Sequence, residues 1–333
     1  MAVMRWWLFG LVLIAGCSPD GAQSVTVYCS HDRSHSEKIL DQFEQATGIR
    51  VDAVYDTEAT KTVGLAQRIR SEQKRPRCDV HWSNEPLRAV LLAQEGLYRS
   101  LPSSAGVAIE ARWRDPQNLW CGFAARARAV AIFPPSATRV DAPDSVHQLA
   151  DPELLGKVVI ADPRFGTTGS HLAILRARLG PDRYRRLLQS WKTNQIQIAS
   201  SNSASRDRVI SGEAWIGLTD TDDIEVVRRR GVEIDEGFLA GDGVILLPNV
   251  VALVKGSPHP VEAEQLASWL LRSEVEEWLA ASPSRQISLS QGAVVPEGGL
   301  GIAQLDPIEI DWVEAASQLR DAVFEAERIL LNP

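Results

Sequence analysis

Three aspartates stand close together directly after a predicted strand. The run Trp215–Thr219 has the apolar composition of a buried strand, and Asp220, Asp222 and Asp223 follow it at once. Crowded carboxylates repel one another, so a cluster of this kind binds a cation or holds a proton. Its oxygens suit Fe³⁺, Mg²⁺, Ca²⁺ or Mn²⁺, and equally a ligand ammonium group. The alternative is that Asp220 or Asp222 caps the helix that leads to Glu225–Arg230.

A second group of polar residues has the composition of an anion-binding loop, since Gly166 to His171 precede an apolar helix. The first N–H groups of a helix lack partners within the helix and, with nearby hydroxyls, they bind anions. The candidate anion ligands are Thr167, Thr168, Gly169 and Ser170, with Asn202 and Ser203 at the start of a later helix. The alternative is an ordinary helix cap made by Thr168 or Ser170.

Two arginines, Arg126 and Arg128, lie two residues apart in a segment of extended pattern. Because side chains alternate along a strand, both face the same side. Guanidinium groups form paired hydrogen bonds with phosphate or carboxylate, so the pair is a candidate clamp for an anionic ligand. The alternative is a pair of structural salt bridges to nearby acids.

Two histidines are candidate metal ligands. His31 and His35 are four residues apart, the spacing that places two imidazoles on one helical face. Ser34 between them is the expected helix cap, which puts His31 in the preceding loop. His31 alone is therefore the better candidate ligand.

The elements that must position these residues alternate between short strands and helices. Strand patterns at Val25–Tyr28, Val51–Tyr55 and Asp79–Ser83 are separated by helical patterns, and a second such set follows later in the chain. This order predicts an α/β protein with two lobes, each a mainly parallel sheet flanked by helices. Trp120–Phe133 and Val244–Lys255 are the predicted hinge strands. In such sheets ligands bind at the carboxyl ends of strands, where the polar candidates lie.

The N-terminal residues have the pattern of an export signal. Arg5 precedes an apolar run too short to span a bilayer, so residues 1–16 are predicted to be a signal peptide. Ile14 to Cys17 match a bacterial lipoprotein cleavage box, which predicts a lipid on Cys17 and a linker over residues 17–24. The alternative is an ordinary signal peptide with an incidental cysteine.

Chain length suits two lobes. Cleavage of the signal would leave about 315 residues, more than one core usually serves. We expect lobe 1 to comprise residues 25–127 and 249–333, and lobe 2 to comprise residues 128–248.

Charge and cysteine content narrow the function. The chain of 333 residues carries a net charge of −8, and losing Arg5 with the signal makes it more acidic. Nucleic-acid binding needs a basic face and is therefore disfavoured.

Besides Cys17, the cysteines are Cys29, Cys78 and Cys121, without the spacing of a zinc site. In an oxidising compartment they predict one disulfide pair, of unassigned partners, and one buried thiol.

Five short motifs follow one another along the chain: Val25–Tyr28, Phe43–Ile49, Cys78–Ser83, Asn202–Ser203 and Ser211–Ala214. In this order they resemble the ferric-iron-type branch of the extracellular solute-binding proteins of ABC importers. The resemblance runs from about Val25 to Leu271. It implies a two-lobed periplasmic-binding-protein fold of type II that closes on a small solute. It also implies a monomer at the periplasmic or cell-envelope face, with importer permease subunits as partners and the membrane reached through the lipid anchor.

The resemblance leaves the solute open, because related proteins bind ferric iron, phosphonates, sugar phosphates or thiamine. Iron-binding members usually have adjacent tyrosines where this chain has Asp222 and Asp223, and its four tyrosines exclude a tyrosine-rich iron site. Glu85 and His31 stand near the glutamate and histidine usual in iron sites. We expect Fe³⁺ with a synergistic anion, bound by Asp222, Asp223, Glu85 and His31. The alternative is a phosphonate, sugar phosphate or thiamine-like solute held by the same loop and arginines.

Enzyme motifs give no competing prediction of equal weight. The sequence lacks a Gly-x-Ser-x-Gly elbow, a His-Glu-x-x-His pair and a phosphate loop. Ser170 and His171 are adjacent, so on a helix they point in different directions. We predict a binding protein without catalytic residues, and a metal-dependent phosphohydrolase built on the aspartate cluster is the enzymatic alternative.

Overall fold

A computed structural model describes residues 23–56, 63–134 and 141–331. The predicted signal peptide, Cys17 and nearly all of the predicted linker lie outside the described residues. In the described ranges, no helix is both long and apolar enough to span a membrane.

The first part of the chain forms a parallel arrangement of strands with helices between them. In chain order the elements are β1 (Ser24–Cys29), α1 (Arg33–Thr47), β2 (Arg50–Tyr55), α2 (Val63–Ser71), β3 (Val80–Ser83), α3 (Pro86–Gln94) and β4 (Tyr98–Arg99). β1 pairs in parallel with β2 on one side and β3 on the other. Helix α1 buries Ile39, Leu40 and Phe43 on one face, and Gly48 ends it at a φ of 73°.

Strand β5 (Cys121–Ile132) passes from one group of strands to the other. Its first half pairs with β10 (Leu246–Val254), which in turn pairs with β3. From Arg128 onward β5 pairs instead with β8 (Ile216–Asp220). The prediction of two crossing strands was therefore half right. β10 pairs only with β3, β4 and β5 among the described strands, so it stays in the first group.

The middle of the chain builds the second group of strands. Its elements are β6 (Val158–Ala161), α4 (Gly166–Leu179), α5 (Pro181–Thr193), β7 (Gln197–Ala199), α6 (Asn202–Ile210), β8, α7 (Thr221–Arg228) and β9 (Asp235–Gly237). β6 lies between β7 and β8 and pairs in parallel with both. We call the part built on β1 to β4 and β10 lobe 1, and the part built on β6 to β9 lobe 2.

The C-terminal helices are α8 (Pro260–Leu270), α9 (Ser273–Ala281), α10 (Ile302–Leu305) and α11 (Trp312–Ala326), followed by a π-helical turn over Glu327–Leu331. α11 contacts both lobes. At its start the Trp312 indole donates to the Arg112 carbonyl at 2.8 Å, and near its end the Ala322 carbonyl accepts from the Tyr184 hydroxyl of α5 at 2.9 Å. Residues 249–333, predicted as part of lobe 1, thus include a helix that joins the lobes.

A buried glutamate fixes the loop after α9. The Glu276 carboxylate is fully buried and accepts hydrogen bonds from the backbone N–H groups of Ala124, Leu289 and Ser290 at 2.6 to 2.8 Å. Three such bonds tie the loop to β5, because each buried N–H would otherwise be left without a partner.

The disulfide prediction was wrong. Cys29, Cys78 and Cys121 are all free thiols, and all are buried. Burial raises the pKa of Cys29 and of Cys121 to about 12. These side chains therefore serve as small apolar core residues rather than as a crosslink or a reactive group.

Candidate functional site

A cleft of about 620 Å³ opens where the carboxyl ends of strands and the starts of helices meet. Lobe 1 contributes the start of α1 and the residue after β3. Lobe 2 contributes the loops from β6 to α4, from β7 to α6 and from β8 to α7. The lining includes His31, His35, Lys38, Asn84, Arg126, Thr167, Asn202, Ser203, Arg206, Asp220, Asp222, Asp223, Arg229 and Arg230.

Asp220 is the most enclosed acid of this cleft, with only 3% of its surface exposed. Its Oδ1 accepts from Arg128 at 2.6 Å, and its Oδ2 accepts from the Thr167 hydroxyl at 2.6 Å and the Asn202 amide at 2.8 Å. Both oxygens are thus engaged by donors of the protein itself.

Asp222 and Asp223, in the first turn of α7, also pair with arginines. Asp222 Oδ2 accepts from Arg126 Nε at 3.0 Å. Asp223 Oδ1 lies 3.8 Å from Arg206, whose guanidinium also donates to the Asp223 carbonyl at 2.8 Å. One oxygen from each of Asp220, Asp222 and Asp223 lies within 4.8 Å of the others, so the predicted cluster forms. Each of its three charges faces an arginine.

The two arginines of β5 do lie on one face of the strand, and both bind aspartates. Arg126 lines the cleft and also donates to the Asn84 carbonyl. Arg128 lies beneath the lining, only 3% exposed, and donates to Asp220, Thr167 and His171. The salt-bridge alternative therefore describes Arg128, whereas Arg126 has both a structural contact and a place in the cleft.

Only part of the predicted anion loop reaches the cleft. Gly166 and Thr167 line it, whereas Thr168 and Ser170 are buried below and at most 1% exposed. Gly169 is a packing glycine, because a Cβ there would lie 2.9 Å from the Pro163 carbonyl. Thr168, Gly169 and Ser170 thus lie outside the lining of the cleft and pack within α4 and its surroundings.

Glu85 lies outside the cleft lining and caps α3. Its carboxylate accepts from the backbone N–H groups of Leu87 and Arg88 and pairs with the Arg88 side chain. The Ser170 hydroxyl donates to it at 2.5 Å, which ties lobe 2 to lobe 1. With 0% of its surface exposed, Glu85 has no free access for the metal role that was predicted for it.

His31, the histidine predicted as the better candidate, lines the cleft, and His35 lines it too. Helix α1 begins at Arg33 with Asp32 as its N-cap rather than the predicted Ser34. His31 is 4% exposed, and its ring stacks on Trp82 with 5.3 Å between centroids. Burial lowers the pKa of His35, against the opposing effect of the Asp32 and Asp222 carboxylates.

Two helices of lobe 2 present their N-termini to the cleft. The Asn84 side chain of lobe 1 is mostly buried but lines the same cleft. The N-cap of α4 is Phe165, which makes no side-chain cap hydrogen bond. The N-cap of α6 is Ser201, whose hydroxyl accepts from the Ala204 N–H at 3.1 Å, and the first two residues of that helix are Asn202 and Ser203. The Asn84 Oδ1 atom has no hydrogen-bond partner among the described residues, and Asn84 is 8% exposed. Backbone N–H groups at a helix N-terminus favour bound anions. The unpartnered Asn84 Oδ1 atom favours a ligand that has a hydrogen-bond donor.

Four lining cations, Lys38, Arg206, Arg229 and Arg230, were not among the predicted site residues. Lys38 and Arg206 lie on helices, and Arg229 and Arg230 follow the end of α7, so none of the four stands directly after a strand. Arg206 lies one turn after Asn202 on α6, so helical spacing was the signal that could have revealed it.

The two lobes and the polar cleft between them give the chain the two-lobed α/β fold of periplasmic binding proteins. A bacterial extracellular solute-binding protein family matches residues 25–282, so the chain belongs to that family. The predicted family and two-lobed fold are thereby confirmed.

Relatives agree with this assignment. A "Probable ABC transporter periplasmic-binding protein y4fP" of Sinorhizobium fredii is 23% identical over 92% of this chain and 87% of its own length. Among solved structures, iron-bound HitA of Pseudomonas aeruginosa has 21% identity and a TM-score of 0.82, covering 91% of this chain and 99% of that one. AfuA of Actinobacillus pleuropneumoniae, with fructose-6-phosphate bound, has 18% identity and a TM-score of 0.81, covering 94% and 100%.

We predict that Asp220→Ala strongly destabilises the fold, because it leaves the buried Arg128 charge unpaired. The expected loss is about 3–5 kcal/mol in the free energy of unfolding. Asp223→Ala removes a more exposed carboxylate and should cost about 1 kcal/mol or less. Urea unfolding of both variants measures the difference. Similar small losses in the two would contradict a structural role for the Asp220 pair.

Proposed function

We propose that this chain captures a small organic anion with a phosphate or phosphonate group and delivers it to the membrane subunits of an ABC importer. One observation carries the proposal. Asp220, Asp222 and Asp223 are already paired with Arg128, Arg126 and Arg206, while the N-termini of α4 and α6 open into the same space. An anion gains from the N–H groups at these helix starts that no side chain caps, whereas a cation must compete with three arginines.

The size and chemistry of the cleft favour an organic molecule over a bare ion. Its volume of about 620 Å³ lies within the range of small-molecule sites, and one water occupies only about 30 Å³ of liquid. Asn84 offers an unpartnered acceptor that a hydroxyl or amine would satisfy. A phosphorylated compound with hydroxyl or amine groups fits both observations, and the AfuA structure with fructose-6-phosphate belongs to the same fold.

Closure would follow from contacts on both sides. Thr167, Asn202 and Ser203 belong to lobe 2, whereas His31 and Asn84 belong to lobe 1. A solute that touches both sets has a higher affinity for the closed form and shifts the population toward it. The permease subunits would then recognise the closed receptor.

Ferric iron with a synergistic anion is the second candidate. The aspartate oxygens within 4.8 Å of one another favour it, as do the iron-binding relatives of the same fold. Asp222, Asp223 and His31 would supply the metal ligands, and the helix termini would hold the anion. Asp222 and Asp223 would then have to exchange their arginine partners for the metal.

We also propose that the chain works at the periplasmic or cell-envelope face as a monomer, held to the membrane by a lipid on Cys17. The family supports an exported protein. The cleavage box before Cys17 supports the anchor.

We predict that Ser203→Asp abolishes capture of phosphorylated solutes. The new carboxylate sits in the first turn of α6, where the helix dipole favours it, so the fold is retained. In the cleft, however, it repels an anionic ligand, and binding of the solute should weaken at least about tenfold. Calorimetric titration with sugar phosphates and phosphonates, first screened by thermal shift, measures the loss.

A matched variant controls for the added charge. Ser273→Asp places the same substitution in the first turn of α9, whose residues do not line the cleft, and it should leave binding unchanged. The proposal fails if ferric citrate alone stabilises the wild type. It also fails if Ser203→Asp binds phosphorylated solutes as well as the wild type does.

Lipidation makes a separate prediction. A Cys17→Ala variant cannot accept the lipid, so it should move from the membrane fraction to the soluble fraction and lose incorporation of radioactive palmitate. Retention of either the membrane location or the label would rule out Cys17 as the anchor.

A further inference from the structure

Three basic side chains at the mouth of the cleft take no part in the ion pairs of its interior. Lys38 lies on α1, and Arg229 and Arg230 follow the last turn of α7. All three line the cleft, and all three are exposed. Within ranges 23–56, 63–134 and 141–331 none of them makes an ion pair or a side-chain hydrogen bond. Their neighbour Arg228 differs, because it pairs with Glu225 and Glu236.

The mouth is therefore positively charged in a protein whose net charge is −8. Among the residues that the structure describes, five acids line the cleft, and four of them pair with arginines. The pairs are Asp162 with Arg164, Asp220 with Arg128, Asp222 with Arg126, and Asp223 with Arg206. Asp32, at the start of α1, is the fifth acid. Four of the five lining acids thus have arginine partners, and Lys38, Arg229 and Arg230 take no part in those pairs.

These cations sit on opposite sides of the cleft. Lys38 belongs to lobe 1, whereas Arg229 and Arg230 belong to lobe 2. Like charges that approach one another resist closure, and an anion placed between them reverses the sign of the interaction. The cations at the mouth should therefore increase the affinity for a ligand that carries a negative charge at its outer end.

We propose that Lys38, Arg229 and Arg230 form a second anion subsite, so that the natural solute carries two separated acidic groups. The inference rests on the proposed function. One phosphate or phosphonate group is held at the N-termini of α4 and α6. A second phosphate or a carboxylate is held at the mouth by the three cations. The cleft volume leaves room for the carbon skeleton that separates the two groups.

A subsite differs from simple electrostatic attraction. Exposed cations that only steer a ligand raise the association rate of every anion, with little preference for a second acidic group. A subsite instead lowers the dissociation rate of ligands that reach it. Its contribution should also decline with salt, because the cations are exposed.

The test compares solutes that differ by one acidic group. We would titrate the full mature chain with glycerol 3-phosphate against 3-phosphoglycerate, and with fructose 6-phosphate against fructose 1,6-bisphosphate. In at least one pair the compound with two acidic groups should bind at least about tenfold more tightly at low salt.

The variant Lys38→Gln/Arg229→Gln/Arg230→Gln should remove that advantage and leave the affinity for the compound with one acidic group within about threefold. A matched variant, Lys74→Gln/Arg75→Gln/Arg77→Gln, removes three exposed cations after α2 that do not line the cleft. It should retain the full preference. Because all six side chains are exposed, both variants are expected to fold.

Each outcome has one meaning. Equal affinity within both pairs, or a preference that survives the Lys38 variant, overturns the second subsite and leaves the proposed function intact. Loss of preference in both variants also overturns it, since net charge alone would then explain the effect. If no phosphorylated compound binds at any salt concentration, the proposed function fails and the subsite fails with it.

Discussion

The cleft depends on how two buried arginines of β5 are neutralised. Arg126 and Arg128 stand on one face of the strand at the point where it leaves β10 and joins β8. Their charges could not stay buried unpaired, and Asp222 and Asp220 supply the partners from the start of α7. The same contacts fix α7 to the crossing strand and, through Thr167 and Asn202, bring the starts of α4 and α6 beside it.

This arrangement decides the kind of solute that the cleft favours. The three clustered aspartates, which would otherwise attract a metal, each pair with an arginine. Helix N-termini and the basic side chains at the mouth are the features that would favour an anion. The Asn84 side-chain oxygen Oδ1 adds a neutral acceptor, which suits the hydroxyl or amine of an organic molecule. The proposed anion capture would therefore depend on the same arginine–aspartate pairs that fix α7 to β5.

Much of the fold could be predicted from the periodicity of apolar residues, because β6 and the helices around it lie where their local sequence patterns place them. The site was less readable. Asp220, Asp222 and Asp223 were predicted, and so was the crossing of β5. Which arginine pairs with which aspartate depends on how β5 aligns with β8 and α7, and no local pattern reveals that alignment. Glu85 looked like a ligand after a strand, yet its carboxylate caps α3. Whether two of the three cysteines form a disulfide likewise depends on the distances between them in the folded chain, which their positions in the sequence do not predict.

The most direct test of the central claim is equilibrium dialysis of the wild-type mature chain against radioactive inorganic phosphate and, separately, radioactive ferric citrate. Inorganic phosphate is the smallest probe of the helix termini, and we expect the protein to retain it while iron distributes equally across the membrane. Retention of iron that is lost in the Asp222→Ala/Asp223→Ala variant, without retention of phosphate, would contradict anion capture and establish a carboxylate-based iron site.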